Sequence, residues 1–254
     1  MRPYIAFVKK EWLEALRTYK VFIFAVVFAL LGIMNPITAK VTPQLLETFM
    51  PEGMQITLPE PTALDSWAQF YKNVGQMGLI VLVILFSTLI SHEITKGTLI
   101  NILTKGLKRS TVIYGKLTLS ILLWTASFVL CFGLTDIYTR YFWDVSILHH
   151  AYFAGGCLWL FGVFLISVTL LGGILFSNSY GSLLTTLLVF IVLMILGIFE
   201  PIAKFNPTWL ATQNLNLVQG NLSPDRLIPA ILSTIMVIVL LNVISVIAFN
   251  RKAI

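Results

Sequence analysis

AYFAGGCLWLFGVFLISVTLLGGILF, residues 151–176, runs for twenty-six positions without a Lys, Arg, Asp or Glu. At about 1.5 Å rise per residue, a helix of this stretch covers the roughly 30 Å of a bilayer's hydrocarbon. Five further stretches meet the same requirement: Val21 to Ala39, Gly75 to Ser91, Val112 to Leu134, Ser182 to Phe199 and Leu227 to Phe249. None has a charge in its middle. Composition agrees, with 57% hydrophobic and 11% charged residues and a mean hydropathy of +0.89. Soluble domains carry about twice that share of charge. The expected fold is an all-α membrane protein of six transmembrane helices, forming one transmembrane domain over residues 1–254. The first span is too long, and lacks the small-residue cleavage site, for a signal peptide; it reads as an uncleaved anchor.

The placement of Lys and Arg orients these spans. Twelve of the seventeen lie on one side: in the first twenty residues, between the second and third spans, and at the C-terminus. Only Glu11, Glu14 and Glu93 oppose them there, an excess of nine positive charges. That side is expected to face the cytoplasm, with both termini, in a multi-pass protein of the cell membrane. Its charge suits anionic lipid headgroups or an acidic partner surface, and nucleic acid is not an expected partner. Cys131 and Cys157 lie in apolar stretches and fit neither a disulfide framework nor a metal spacing.

In residues 1–20, Ile5, Val8, Trp12, Leu16 and Tyr19 recur at helical spacing, with Lys9, Lys10, Glu14 and Arg17 off that stripe. This predicts an amphipathic helix in the membrane interface. Plain anchoring and partner docking both remain open as its role. Between Lys40 and Val74 the sequence predicts a long outer connection. Asp65 would cap a helix there, putting Trp67, Phe70, Tyr71 and Val74 at the headgroup level. Residues 200–226 predict an outer re-entrant segment. Asn206 caps a short helix with Pro207 at its first position, Gly220 ends it, and Ser223-Pro224 starts the last span.

The usual catalytic constellations do not occur. Gly115-Lys116 is the only Gly-Lys pair, and Ser110 stands where a P-loop needs its first glycine, so the chain should not bind ATP that way. His149-His150 lacks Cys or a His-Glu-x-x-His pattern and reads as interfacial polarity instead of a metal site. Ser182 follows Gly181 as a turn would, with no histidine in the last three spans to serve as its base. Asn242 reads as an interhelical hydrogen-bonding group. Ion-coupled transport usually leaves ionisable groups at mid-span, whereas Asp136 and Glu200 sit at span ends. No catalytic residue, bound cofactor or metal is expected.

The connection between the second and third spans reads SHEITKGTLINILTKGLKRSTVIYGK, residues 91–116. Glu93, Gly97, Thr98, Leu103, Arg109, Ser110 and Lys116 fall in the order found in the type-2 ABC transporter permease family, which this chain resembles over nearly its whole length. That family's turn proline is replaced here by Gly106-Leu107. The resemblance implies that residues 92–111 form a cytoplasmic coupling helix docking on a separate P-loop ATP-binding subunit, which carries ATP and Mg. It also implies pairing with a second permease chain, as homodimer or heterodimer. Glu93, Gly97, Thr98, Lys105, Arg109 and Ser110 are then the docking candidates. The positive-inside rule alone would equally explain Lys105, Lys108 and Arg109, whereas Glu93, an acid on the basic side, favours docking. Trp124, Phe128, Phe132 and Phe164 are candidates for an apolar pathway lining, with packed core or lipid contact as their other reading. The expected function is the non-catalytic transmembrane subunit of an ATP-driven exporter of amphipathic or hydrophobic cargo, membrane-active peptides among them. A membrane-embedded enzyme, or a non-transporting sensor or assembly subunit holding an ATPase, is the alternative.

Overall fold

In the computed structural model, residues 2–49, 60–95, 97, 99, 103, 104 and 106–252 are described, and all regular structure among them is helical. The first element, α1 (Arg2–Arg17), ends where Tyr19 takes a left-handed φ of 57°, turning the chain into α2 (Lys20–Phe49). Next, α3 (Ala63–Asn73) passes through a π turn at Val74–Gly78 into α4 (Leu79–Thr95). The long helices α5 (Arg109–Phe142), α6 (Ala151–Phe176) and α7 (Ser179–Leu196) follow. Three short pieces, α8 (Glu200–Ala203), α9 (Trp209–Thr212) and α10 (Asn214–Val218), precede a 3₁₀ turn at Pro224–Leu227 and α11 (Ile228–Arg251). Six helical segments are long and apolar enough to cross a membrane.

The centre of the bundle is α6. In its most apolar window 78% of residues are buried, against 11% for α7. It packs on α4, α5, α7 and α11, and small residues let its neighbours close in. Trp124 lies where a Cβ on Gly162 would sit, and its indole N–H donates to the Trp159 carbonyl at 2.9 Å. The outward sides of α7 and α11, including Leu184, Leu188, Leu232 and Met236, are apolar and exposed, as lipid contact requires.

Proline inside a spanning helix leaves a carbonyl without its donor four residues earlier. For Pro36 of α2 that carbonyl is Gly32, and Thr135 of α5 supplies a hydroxyl to it at 3.1 Å. The helices are close enough for this because Gly32 has no side chain: a Cβ there would lie 2.8 Å from the Cys131 oxygen. Asn35 extends the contact, donating to Thr135 Oγ1 at 3.3 Å and accepting from Asn73 at 2.9 Å.

The structure corrects several local expectations. Helix α2 runs on to Phe49, well into the stretch expected to be a connection. Thr62, not Asp65, is the N-cap of α3; Asp65 Oδ2 accepts from the Thr62 backbone N–H at 2.8 Å, the reciprocal half of a capping box. Trp67, Phe70, Tyr71 and Val74 face the protein interior, all buried: Trp67 and Phe70 meet Phe132 and Phe128 of α5, and the Tyr71 hydroxyl donates to the Ala151 carbonyl at 3.0 Å. The helix expected from Asn206 to Gly220 is broken in two. Asn206 Oδ1 accepts from the Thr208 N–H and hydroxyl, both at 3.0 Å, forming a turn ahead of α9. Gly220, with φ +75°, ends the second piece as expected. Ser182 donates to the Thr169 carbonyl at 2.6 Å, and Asn242 to Ser167 Oγ at 3.3 Å; both tie helices together.

Candidate functional site

Helix α1 lies across the same end of the bundle as the connection between α4 and α5, with one side exposed and the other buried. Ile5, Trp12, Leu13 and Leu16 are exposed, whereas Phe7, Glu11 and Ala15, each four residues apart, form the buried side. Phe7 inserts where Gly115 of α5 leaves room; a Cβ on Gly115 would meet the ring at 2.5 Å. The Tyr4 hydroxyl lies 2.7 Å from Thr118 Oγ1, one turn further along α5.

This docking brings Glu11 into a buried charge cluster. The Lys116 ammonium donates to Glu11 Oε2 at 2.9 Å and pairs with Glu93 Oε2 at 2.7 Å. Lys10 reaches the other oxygens of the same two carboxylates, at 2.9 Å to Glu11 and 2.5 Å to Glu93, and adds Glu14 at 2.7 Å. Lys116, Glu11 and Glu93 are almost wholly buried, and Lys10 is part-exposed. Burial opposes ionisation of Glu93, but Lys116 and Lys10 outweigh it and hold its carboxyl below the ordinary carboxylate range. Burial likewise works to lower Lys10, and its bonds to Glu14, Glu93 and Glu11 prevail, raising it. Glu11, Glu14 and Glu93 converge closely enough to suggest a metal site, with candidate ligand atoms within 4.8 Å. The two ammoniums already occupy the positions that a cation would take.

Both ends of the connection are therefore fixed to the bundle. At the α4 end, Glu93 is held by α1 and α5. At the α5 end, the Arg109 guanidinium donates to the carbonyls of Phe249 (2.7 Å), Asn250 (3.3 Å) and Lys252 (2.6 Å), capping the C-terminus of α11. Lys252 in turn donates to the Ile174 and Leu175 carbonyls at the end of α6. Between these anchors, Gly97 and Gly106 take φ of +66° and +87°, Leu99 is buried, and Thr104 and Lys108 are exposed.

The docking candidates thus divide. Glu93 and Arg109 are turned toward the bundle, Glu93 paired with Lys10 and Lys116 and Arg109 bound to the backbone carbonyls at the end of α11. Gly97 shapes a turn, and Ser110 is half-buried in the first turn of α5. Thr98 and Lys105 lie outside the described residues. Sequence reasoning missed the partnership of Glu11, Lys10 and Lys116. The available signal was Glu11 on one stripe with Phe7 and Ala15, facing a lysine next to a glycine in an apolar helix.

The four lining candidates are interior packing. Trp124, Phe128 and Phe164 are buried, and Phe132 packs against Trp67 with ring centroids 4.7 Å apart. An open apolar groove of about 610 Å³ lies elsewhere, between α4 and α7 over α6. Leu79, Val83, Leu165, Leu183, Leu187 and Phe190 line it, together with Gln76 of the π turn.

No protein-family model matches the chain. It is similar to YxlG of Bacillus subtilis (strain 168), described as an uncharacterized transmembrane protein. The two are 23% identical over 260 residues, covering 99% of this chain and 98% of the relative. Together with the six apolar helices, this likeness makes the chain a multi-pass membrane protein.

Proposed function

We propose that this chain is the transmembrane permease subunit of an ATP-driven exporter in the cell membrane, with both termini in the cytoplasm. Two such chains, identical or paralogous, pair above two P-loop ATP-binding subunits that carry ATP and Mg. The observation that carries this reading is the two-ended anchoring of the connection between Thr95 and Arg109. A segment tied through Glu93 to α1 and α5, and through Arg109 to α11, cannot be displaced without moving the bundle. Its matching order of residues with the type-2 permease family, and the excess of basic residues on this side, support the same reading.

Closure of the ATPase pair would push on the connection through its exposed positions, such as Thr104 and Lys108. The buried cluster would pass that displacement to α1, α4 and α5. ATP then shifts the equilibrium between two pathway states by binding one better than the other. The apolar groove between α4 and α7 supplies the pathway wall, and two copies facing each other would enclose a passage for amphipathic or hydrophobic cargo such as membrane-active peptides. The short helices α8 to α10 form an outer re-entrant element.

Affinity purification of the tagged chain from its native membrane, with mass spectrometry of what accompanies it, tests this. A P-loop ATPase should co-purify at equal stoichiometry and be lost with Thr104→Arg/Lys108→Glu, while the melting temperature of the chain stays unchanged. ATP hydrolysis by the chain alone, or no ATPase after gentle extraction, would rule the subunit reading out.

A further inference from the structure

None of the residues lining the groove between α4 and α7 carries a charge, and only Gln76 and Thr186 among them are polar. Thr186 is buried and already engaged: its hydroxyl bonds the Ser182 carbonyl at 2.9 Å and lies 3.0 Å from Thr169 Oγ1. Gln76 is different. It is exposed, and its carboxamide makes no hydrogen bond among the described residues. It belongs to the second span, Ala63–Ser91, fifteen residues before the end at Ser91. That is about 22 Å along the helix, inside the roughly 30 Å of hydrocarbon. Hydrocarbon cannot satisfy a carboxamide's donors and acceptor, so a partner from outside the chain is strongly favoured there.

Room for that partner lies beside it. Gly75, in the same π turn, also lines the groove, and a Cβ built on it would meet nothing within 4 Å. Leu79 and Val83 of α4, Leu183 and Phe190 of α7, and the buried Leu165 of α6 continue the lining. The groove thus joins one unpartnered carboxamide to an uncharged apolar channel.

We propose that this groove binds a single-chain amphiphile with an uncharged amide head, the head on Gln76 and the chain along Leu79, Val83, Leu183 and Phe190. A carboxamide offers N–H donors and a carbonyl acceptor, and a second amide returns both, so the two groups satisfy each other. An anionic head would leave the Gln76 oxygen without a donor, and a quaternary ammonium would leave its N–H groups without an acceptor. Either would also bring a charge into a lining that holds no counter-charge. Gln76 is then the residue that selects the head, and the cargo class narrows to neutral amides such as fatty amides and capped, acylated peptides. This rests on the reading of the groove as a pathway wall for the cargo's export, whereas binding itself needs this chain alone.

The test is photo-labelling of the purified full chain in nanodiscs, with no ATPase present, by dodecanamide carrying a mid-chain diazirine. Competitors are dodecanamide, dodecanesulfonate, dodecyltrimethylammonium and dodecane. Adducts should map to α4 and α7, and dodecanamide should compete about tenfold better than the other three, the worth of one buried hydrogen bond. Gln76→Leu should level the four competitors while the chain melts at the same temperature. Gly75→Leu, whose side chain enters open space, should block labelling and keep the fold. Equal competition in the parent chain, a preference that survives Gln76→Leu, or adducts confined to other helices would each overturn the proposal. Amide-selective labelling of a chain that brings down no ATPase would uphold the site and refute the exporter reading. An ATPase partner without amide selectivity would refute the site alone.

Discussion

Lys116 stands almost wholly buried in α5, and what makes that tolerable is the pair of carboxylates from Glu11 and Glu93. Burying a charge costs several kcal/mol, so the cluster is stable only as a whole, and removing one member leaves its partners uncompensated. Lys116→Met should lower stability in detergent by about 3–5 kcal/mol, measured by thermal or denaturant unfolding. Acid should act on the same cluster. The Glu93 carboxyl is held below its ordinary value of 4.5, so the folded state binds fewer protons than the unfolded chain in the acid range. Its stabilisation is complete above that ordinary value and is lost as pH falls through the lower folded one. The melting temperature should therefore be nearly flat from about pH 5 to 8 and fall in more acid solution, with a shallower fall in Glu93→Gln. An equal fall in wild type and variant would show that Glu93 is not the group involved.

Helix packing here depends on a few glycines, and each yields a specific expectation. Gly115 admits Phe7 to α5, so Gly115→Leu should undock α1 without expelling the protein from the membrane. Cysteines at positions 4 and 118 should crosslink in the parent chain and fail to do so in that variant; unchanged crosslinking would contradict the docking. Thr135→Val deprives the Gly32 carbonyl freed by Pro36 of its donor and should cost about 0.6–1.7 kcal/mol, the range for interhelical hydrogen bonds in bilayers. Much of this element structure was legible in the sequence, because uncharged runs such as residues 151–176 permit only a spanning helix. The Gly220 stop was legible for a similar local reason. What the sequence hid were contacts between distant positions. Glu11 and Lys116 are 105 residues apart, and nothing in either neighbourhood specifies the other. The same holds for Trp67, Phe70 and Tyr71, whose spacing revealed one face but not whether lipid or Phe132 would cover it.

For the molecule as a whole, the connection between α4 and α5 and the short connection between α5 and α6 lie at opposite ends of α5. Single cysteines at Thr104 and Ser146, both exposed, should label from opposite faces of a sealed vesicle. Labelling from one face would refute the six-crossing arrangement. What meets the face bearing Thr104 decides between the permease reading and its alternatives. A photo-crosslinking amino acid placed at Thr104 in the native membrane, followed by sequencing of the adduct, examines this contact directly. An adduct containing P-loop ATPase peptides, enhanced or depleted by ATP, is the result the permease reading predicts. An adduct with lipid alone, in membranes where the chain is folded and abundant, would contradict it.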